Sequence, residues 1–343
     1  MPVVLQPPPS VSVPPNRTDS MIRLIPSSEV IERVAMSDAI AAVATAHRRL
    51  AAGTAIAPAP SSMPVPGSDA QFLGMSAIDS VSGLASMKFL ADIPSNRDRA
   101  LPAQRSMIIV SSLHGTPLAL IDGAAVTRIR TAAATAVATD ALARPDARVL
   151  GLIGAGALAE GHVEALMLVR PISRVVVWSR TTERARSLAA TLSDRGIPAT
   201  TAASAREVVG QADIVCTLTP SREPVLEGAW LHPGHHVNAV GAPPRADHRE
   251  VDSEAVRRSR VILDTRSAAL AESGDVLIPL REGSIDESHL GPELGEVLVG
   301  AAPGRRDPEE ITLFNSLGSG LQDLALAALL VSAHSAQPAQ AGP

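Results

Sequence analysis

The chain has 343 residues and a formal net charge of −5; 45% of its residues are hydrophobic and 19% are charged. This composition is typical of a globular protein with room for two domains, and its acidic balance argues against a nucleic-acid partner. No apolar run reaches the roughly 18 residues of a membrane-spanning helix, and the chain start lacks a secretory signal, so we expect a cytoplasmic protein with no membrane partner. A single cysteine excludes an internal disulfide, and the histidines lack metal-ligand spacing, so no metal site is predicted.

The first part of the chain predicts a proline-rich tail followed by a small α+β domain. Residues 1–19, which contain PPPSVSVPP, are expected to be disordered because proline disfavours regular helices and strands. A short strand over residues 22–25, a helix over 27–52 and an extended or looped stretch over 55–66 follow. Further strands are predicted over residues 72–75, 87–90, 106–112 and 117–121.

From residue 124 onward helices alternate with strands, which predicts a doubly wound parallel sheet. A long alanine-rich helix is expected over residues 124–143, a final helix over 321–332, and a disordered tail after residue 336. The predicted strands of this part cover residues 149–153, 175–178, 213–219, 236–241, 261–265 and 312–317. The predicted fold is therefore α/β: a Rossmann-type doubly wound parallel sheet plus the smaller α+β domain.

The segment VLGLIGAGALA has the strand–turn–helix pattern of a dinucleotide-binding site. In this pattern Gly154 permits the tight turn, Gly156 lets the backbone approach a pyrophosphate, and Ala159 allows the helix to pack closely on the strand. Backbone N–H groups at the start of the helix, including those of Ala157 and Leu158, are expected to hold the phosphates.

The next predicted strand ends in Ser179, Arg180 and Thr181, with Arg184 one helical turn later. Sites specific for NAD usually place an aspartate or glutamate here, which accepts a hydrogen bond from the ribose 2′-hydroxyl. A hydroxyl and two guanidiniums instead suit the additional phosphate of NADP, because guanidinium is a permanently charged, bidentate donor. We therefore expect NADP as the cofactor, with NAD possible. The alternative is that Arg180 and Arg184 are ordinary solvated charges.

Several short motifs follow one another along the chain in a fixed order. They are Lys88 followed by NRDRALP at 96–102, LIDG at 120–123, VTRIRTAA at 126–133, GAG at 154–156, GHHVNAVG at 234–241, ESGD at 272–275 and FNSLG at 314–318. In this order and spacing they resemble the motifs of the ornithine cyclodeaminase and mu-crystallin family, over residues 22–332.

The resemblance implies a nicotinamide-dependent enzyme that transfers hydride at the α-carbon of a small imino- or amino-acid substrate. It also implies a Rossmann domain over residues 124–318. The substrate-binding and dimerisation domain would combine residues 20–123 with residues 319–336, so a homodimer is expected. The expected cofactor contacts beyond the glycine-rich turn are Thr131, Thr219, Val240, Gly241 and Ser316.

By position, Lys88 and Arg130 match the residues that grip the substrate carboxylate in this family, and they are the expected catalytic residues. A fixed pair of cations suits a carboxylate beside an imine, because it places the α-carbon under the nicotinamide. Lys88 is also a candidate proton donor, since burial next to Arg130 would lower its pKa. The alternative is structural, with Arg130 in a helix contact and Lys88 extending from its strand toward solvent.

Two departures from the family pattern bear on the reaction and the substrate. Cyclodeaminases of this family carry an aspartate as general base where this chain has Pro243, and proline cannot transfer protons, so deaminating cyclisation is disfavoured. Asp247 is expected to be structural and paired with Arg249. A second carboxylate-binding arginine, usual near residue 60, is also missing, because the chain has APAPSS there.

We hypothesise that Arg105 supplies this missing charge or contacts a second acidic group of the substrate. Alternation along the predicted strand lets either Gln104 or Arg105 face the site, but not both. The sequence as a whole favours an NAD(P)H-dependent reductase of an imine or ketimine. Two alternatives stay open: an ornithine cyclodeaminase-type enzyme, and a non-catalytic NADP-dependent protein that binds a small molecule.

Overall fold

The structure is a computed structural model that describes residues 22–332. The tails predicted over residues 1–19 and after residue 336 lie outside the described residues. Two sheets dominate the described chain, one mostly antiparallel and one fully parallel. No helix of this part of the chain is long and apolar enough to cross a membrane.

The first sheet lies in the N-terminal part of the chain. It contains β1 (Arg23–Ile25), β2 (Ala55–Ile56), β3 (Ser61–Pro64), β4 (Gln71–Asp79), β5 (Leu84–Asp92), β6 (Gln104–Ser112) and β7 (Pro117–Asp122). The strand order is β1-β7-β6-β5-β4-β2, with β3 also paired to β4, and only the β1–β7 pair is parallel within this sheet. Alternate residues of β4 and β5 are buried, so one face covers the core and the other is exposed.

The second sheet is parallel throughout. It contains β8 (Val149–Ile153), β9 (Arg174–Trp178), β10 (Ala199–Thr201), β11 (Ile214–Thr217), β12 (His236–Ala239), β13 (Arg260–Leu263), β14 (Leu290–Glu293) and β15 (Thr312–Asn315). The order β10-β9-β8-β11-β12-β15-β13-β14 extends in both directions from β8, which confirms the predicted doubly wound fold. Sequence patterns miss β10 and β14, because three or four residues are too few to show a periodicity.

The helices connect and cover these strands. They are α1 (Ser27–Arg33), α2 (Met36–Ala51), α3 (Gly123–Leu142), α4 (Ala159–Val169), α5 (Thr182–Asp194), α6 (Ala205–Gln211), α7 (Ser253–Arg258), α8 (Arg266–Glu272), α9 (Gly274–Arg281), α10 (Leu294–Leu298) and α11 (Gly320–Ser332), with short 3-10 helices at Pro94–Arg99, Gly228–Trp230 and Glu287–His289. The single helix expected over residues 27–52 is wrong. Val34 and Ala35 are extended, and the Val34 side chain is buried in the core, which accounts for the break.

Helix α3 links the two halves of the structure. Its side chains are buried around most of its circumference, where it packs against α2, α4 and α11. Alanine dominates its buried positions, and such small side chains allow close helix packing in a chain with few aromatic residues. Because α3 starts directly after β7 and ends shortly before β8, it runs from the first sheet to the second. The domain boundaries inferred from the sequence stay predictions.

Candidate active site

A cavity of about 370 Å³ opens where the first sheet, α3 and the ends of the parallel strands meet. Nine residues predicted as site residues line it: Lys88, Arg105, Arg130, Thr131, Ala157, Leu158, Val240, Gly241 and Ser316. They come from stretches up to about 230 residues apart in the chain, as the numbering shows. The fold therefore brings the predicted substrate and cofactor residues to one place.

Lys88 is one of the largest fully buried side chains of the described structure, with 1% of its surface exposed. It lies on the core-facing side of β5, and its Nζ donates to Thr127 Oγ1 at 2.7 Å and to Asp323 Oδ1 at 3.3 Å. An ammonium has three N–H groups, so one is left for a ligand in the cavity. Burial lowers the pKa of Lys88 to about 8, with Asp323 opposing this shift and Arg130 adding to it.

Arg130 faces the same cavity from α3. Its Nε lies 3.3 Å from Asp323 Oδ1 and its Nη1 donates to Gln322 Oε1 at 3.1 Å, whereas Nη2 makes no hydrogen bond to another residue within 22–332. Gly318 explains part of the FNSLG motif: it has φ +79°, and a Cβ there would lie 2.1 Å from Arg130 Nη1. Glycine is therefore required for the backbone to pass the guanidinium.

Asp323 is a residue of the candidate site that the sequence analysis missed. Its carboxylate is fully buried, and one oxygen lies 3.3 Å from both Lys88 Nζ and Arg130 Nε. Neighbouring Gln322 joins Arg130 to Asp264, which Gln322 Nε2 contacts at 2.9 Å. A buried carboxylate between two buried cations offsets part of their desolvation cost. The available signal was a pair of polar residues, Gln322 and Asp323, in an otherwise apolar helix.

The glycine-rich turn after β8 has the geometry that a dinucleotide needs. Gly154 has φ +120°, and a Cβ there would lie 2.7 Å from the Leu218 carbonyl oxygen, so only glycine fits. Around Gly156, by contrast, a Cβ would meet no atom within 4 Å, which leaves the backbone open to a phosphate. Helix α4 begins at Ala159, directly after the turn, so its N-terminal N–H groups point toward the open space.

A second cavity, of about 330 Å³, lies beside this turn. It is lined by Gly156, Glu160 and Arg184 among others. Arg184 therefore lies near the turn, as the sequence predicts, and Arg180 is exposed just after β9. Within the described part of the chain, neither guanidinium forms a salt bridge. Ser179 Oγ accepts a hydrogen bond from the Thr181 backbone N–H at 3.4 Å.

Glu250 is a second residue that sequence reasoning missed. Its carboxylate is fully buried and accepts hydrogen bonds from the ends of both β11 and β12. The donors are the Thr217 and Thr219 hydroxyls and the backbone N–H groups of Thr219, Val240, Gly241 and Ala242, at 2.5–3.2 Å. Burial raises the pKa of Glu250 to about 7, and Asp275 adds to the shift. Glu250 therefore joins Thr219 to Val240 and Gly241, three of the residues expected to contact the cofactor.

Pro243 lies where the sequence predicts, whereas Asp247 has a different partner from the one expected. Pro243 lines the 370 Å³ cavity at the position where a cyclodeaminase would have its aspartate. The expected pairing of Asp247 with Arg249 is wrong: Asp247 is bonded to His248 Nδ1 at 2.9 Å, which lowers the pKa of Asp247. Arg249 instead donates to Ser253 Oγ at 3.3 Å, because α7 begins beside it.

The strand register separates Gln104 from Arg105. Lys88 is paired with Ile108 and Ala91 with Arg105, so alternation places Gln104 on the same sheet face as Lys88 and Arg105 on the opposite face. Gln104 Nε2 donates to Asp92 Oδ1 at 3.4 Å. Arg105 is exposed at the rim of the cavity and makes no salt bridge within residues 22–332. Its role as a substrate ligand stays a prediction.

A doubly wound parallel sheet with this glycine-rich turn defines the class of dinucleotide-binding oxidoreductases. The sequence profile of the ornithine cyclodeaminase/mu-crystallin family matches residues 18–337, and the chain belongs to that family. It is 34% identical over 310 residues to a Delta(1)-pyrroline-2-carboxylate reductase of Bacillus cereus, covering 90% of this chain and 95% of that protein. It is 37% identical over 261 residues to the ketimine reductase mu-crystallin of Mus musculus, covering 76% of this chain and 79% of that protein.

A solved structure agrees with these sequence relations. The Delta(1)-pyrroline-2-carboxylate reductase of Thermococcus litoralis, in complex with NADH and L-proline, superposes with a TM-score of 0.87 at 34% identity. The match covers 92% of this chain and 98% of that protein. The similarity therefore extends over both sheets rather than over the nucleotide-binding part alone.

Proposed function

We propose that this chain is an NAD(P)H-dependent reductase of imines or ketimines that carry a carboxylate beside the C=N carbon. The observation that carries this proposal is the buried pair Lys88 and Arg130, which faces a cavity also lined by the start of α4 and the ends of the parallel strands. Its relatives include reductases of carbon–nitrogen double bonds. When bound, the nicotinamide supplies hydride to the C=N carbon.

The cationic pair is proposed to bind the substrate carboxylate. Within residues 22–332, the third N–H of Lys88 and Nη2 of Arg130 have no hydrogen-bond partner and can donate to a ligand. A carboxylate held by both is fixed in position and orientation, which is the main contribution such a clamp makes to rate. Lys88, whose pKa burial lowers to about 8, is the proposed donor of the proton that the imine nitrogen needs. The cavity residues include no aspartate or glutamate to act as a deaminating base.

We further infer that the cofactor is NADPH rather than NADH. The open backbone at Gly156 fits the pyrophosphate shared by both cofactors. What favours NADPH is the end of β9, which Ser179, Arg180 and Thr181 follow directly; the first acidic residue after the strand, Glu183, lies in the first turn of α5. A 2′-phosphate beside two guanidiniums would be stabilised, and the position directly after β9, where sites specific for NAD usually have a carboxylate, is Ser179.

The first test measures oxidation of NADPH and of NADH with cyclic imines and with 2-oxo acids plus ammonium. We expect turnover of carboxylate-bearing imines, a lower KM for NADPH, and a rise of about tenfold or more in that KM in Arg180→Gln, the loss expected for one phosphate contact. Arg206→Gln, an exposed arginine on α6, serves as the control. Release of ammonia from ornithine would indicate a cyclodeaminase, and tight cofactor binding without turnover would indicate a binding protein.

The outer face of the first sheet is proposed to form a homodimer interface. Cross-strand pairs Met87 with Ile109 and Phe89 with Met107 are 40–50% exposed, and they form a continuous apolar strip. Patches of this kind on a folded protein usually mark an interface. The other face of the same strands is already buried on the helices.

Sedimentation analysis is expected to give twice the mass of one chain. Ile109→Glu should shift the protein toward monomer, because a buried unpaired carboxylate costs several kcal/mol. Leu168→Glu, a similarly exposed leucine on α4, provides the matched control and should stay a dimer. A monomeric wild-type protein, or equal behaviour of the two variants, would contradict this interface.

A further inference from the structure

The charges around the 370 Å³ cavity do not balance. Four cationic side chains line it, Lys88, Arg105, Arg128 and Arg130, and no aspartate or glutamate does among the described residues. Just behind the wall, Asp323 compensates Lys88 and Arg130. Two guanidiniums at the mouth are left without a counter-charge, and a concave site with surplus positive charge attracts anionic ligands.

Of these two, Arg128 is the better placed to reach a ligand. Ala124 and Thr131, four residues before and three residues after Arg128 on α3, both line the cavity, so Arg128 shares their helix face. Arg105, in contrast, extends from the outer face of its strand. Arg128 is exposed and forms no hydrogen bond or salt bridge with another residue in 22–332.

Neighbouring side chains on α3 offer Arg128 no partner. The residues three and four positions away on either side are two alanines before it, Ala124 and Ala125, and Thr131 and Ala132 after it. None is acidic, although an acidic residue at this spacing would be the usual partner of a surface arginine on a helix. Among the described residues this guanidinium therefore has no partner, although it lies beside a ligand cavity.

The Arg128 guanidinium would pair with the proposed substrate only if that substrate carries a second acidic group. A protonated imine with one carboxylate has no net charge, and Lys88 and Arg130 already suffice for that carboxylate. The phosphates of the cofactor have their own site at the Gly154 turn and the start of α4. A second carboxylate on the substrate side chain would give the ligand a net negative charge that matches the unpaired guanidinium.

We propose that Arg128 is a specificity-determining residue that binds a second acidic group on the side chain of the imine substrate. This inference rests on the proposed imine reductase activity. It names the substrate class as imines of dicarboxylic 2-oxo acids, in which the α-carboxylate lies on Lys88 and Arg130 and the distal carboxylate on Arg128. Arg105 would be a rim charge with a smaller effect.

The test compares two 2-oxo acids of similar size, each with ammonium and NADPH: oxaloacetate and 2-oxobutyrate, with reactions lacking ammonium as blanks. We expect wild-type kcat/KM to favour oxaloacetate by about tenfold or more, and Arg128→Gln to remove most of this preference, as loss of one charge-assisted hydrogen bond would. Activity with 2-oxobutyrate and the Kd of NADPH should change less than about twofold. Arg128→Glu should reverse the preference, and Arg105→Gln should change it less.

Three outcomes would overturn the assignment: no wild-type preference for the diacid, an unchanged preference in Arg128→Gln, or a Kd for NADPH that rises as much as the preference falls. The last would place Arg128 on the cofactor phosphates. If no imine is reduced at all, the proposed function fails separately. Calorimetric binding of L-aspartate and L-2-aminobutyrate to the NADP⁺ complex then decides the Arg128 assignment by the same ratio.

Discussion

Lys88→Met is expected to lower kcat/KM for imine reduction by roughly 10³-fold while leaving the Kd of NADPH nearly unchanged. Methionine has a similar length and suits a buried site, so the fold should survive. The change removes one carboxylate ligand and the proposed proton donor, but Asp323 keeps Arg130 as a partner and is not left as an isolated buried charge. Lys88→Arg should restore part of the KM effect but less of kcat, because guanidinium stays protonated.

The pKa of Lys88 can be measured directly, because Lys88 is the only lysine in the chain. Protein labelled with ¹³C-lysine should therefore give one Cε resonance, titrating near pH 8 rather than at the ordinary 10.5. If the ammonium form is the active one, kcat/KM should fall with one proton's slope as pH rises through about 8. That step should be absent from Lys88→Met.

The lowered pKa of Lys88 also determines whether the free energy of unfolding rises or falls with pH. Between pH 8 and pH 10.5 the unfolded chain retains a proton that the folded protein has released. The free energy of unfolding should therefore rise with pH in that window, since stability rises wherever the unfolded state binds more protons. A Lys88 resonance that titrates at 10.5, or an unchanged activity profile in Lys88→Met, would contradict the assigned role.

The nucleotide site was predictable from sequence because its determinants are local. Gly154 and Gly156 lie in one short segment, and the turn that requires them is formed by that segment with its own strand and helix. Lys88 and Arg130 were found through motifs rather than through periodicity. Their burial and their shared partner Asp323 depend on α11, which lies roughly 190 residues after Arg130 and roughly 230 after Lys88 in the chain.

Asp323 and Glu250, the two residues that the sequence analysis missed, could not be predicted from local sequence. Asp323 and Glu250 each have several partners, and those partners come from other strands and helices brought together only by folding. The sequence left open whether Gln104 or Arg105 lies on the inner face for the same reason, because alternation alone does not fix which face is inside until the register with β5 is known. The break between α1 and α2 likewise depends on the packing of Val34 against the core.

Glu250→Gln is expected to lower the free energy of unfolding by about 1–3 kcal/mol, the cost typical of leaving a buried polar group without its partner. An amide keeps one acceptor oxygen but turns an NH₂ group toward N–H donors that now lack an acceptor. Oε1 accepts from the Thr219 N–H and hydroxyl, and Oε2 accepts from Gly241 N–H at 2.5 Å, so either orientation of the amide opposes donors. Glu32→Gln, at an exposed glutamate of α1, is the matched control.

Loss of these hydrogen bonds should also weaken cofactor binding, because Glu250 holds the ends of β11 and β12 together. A Cβ at Gly241 would lie 2.1 Å from the Thr219 backbone nitrogen, which shows how closely these segments approach. If they separate in Glu250→Gln, residues proposed to contact the cofactor move, and the Kd of NADPH should rise about tenfold, or ~1.4 kcal/mol. A merely destabilised protein would bind NADPH normally at a temperature where it is folded.

The pH dependence of NADPH binding distinguishes a role of Glu250 at the cofactor site from a role in stability alone. Glu250 has a pKa raised to about 7, so its carboxylate takes up a proton below that pH. The neutral acid has an O–H donor and less capacity to accept hydrogen bonds from the strand ends. NADPH binding should therefore weaken as pH falls through 7 in the wild-type protein and lose that step in Glu250→Gln. Asp275, which accepts the Glu250 N–H and has a pKa raised to about 6, would leave its own step in the variant. Identical profiles for the two proteins would assign Glu250 to stability alone.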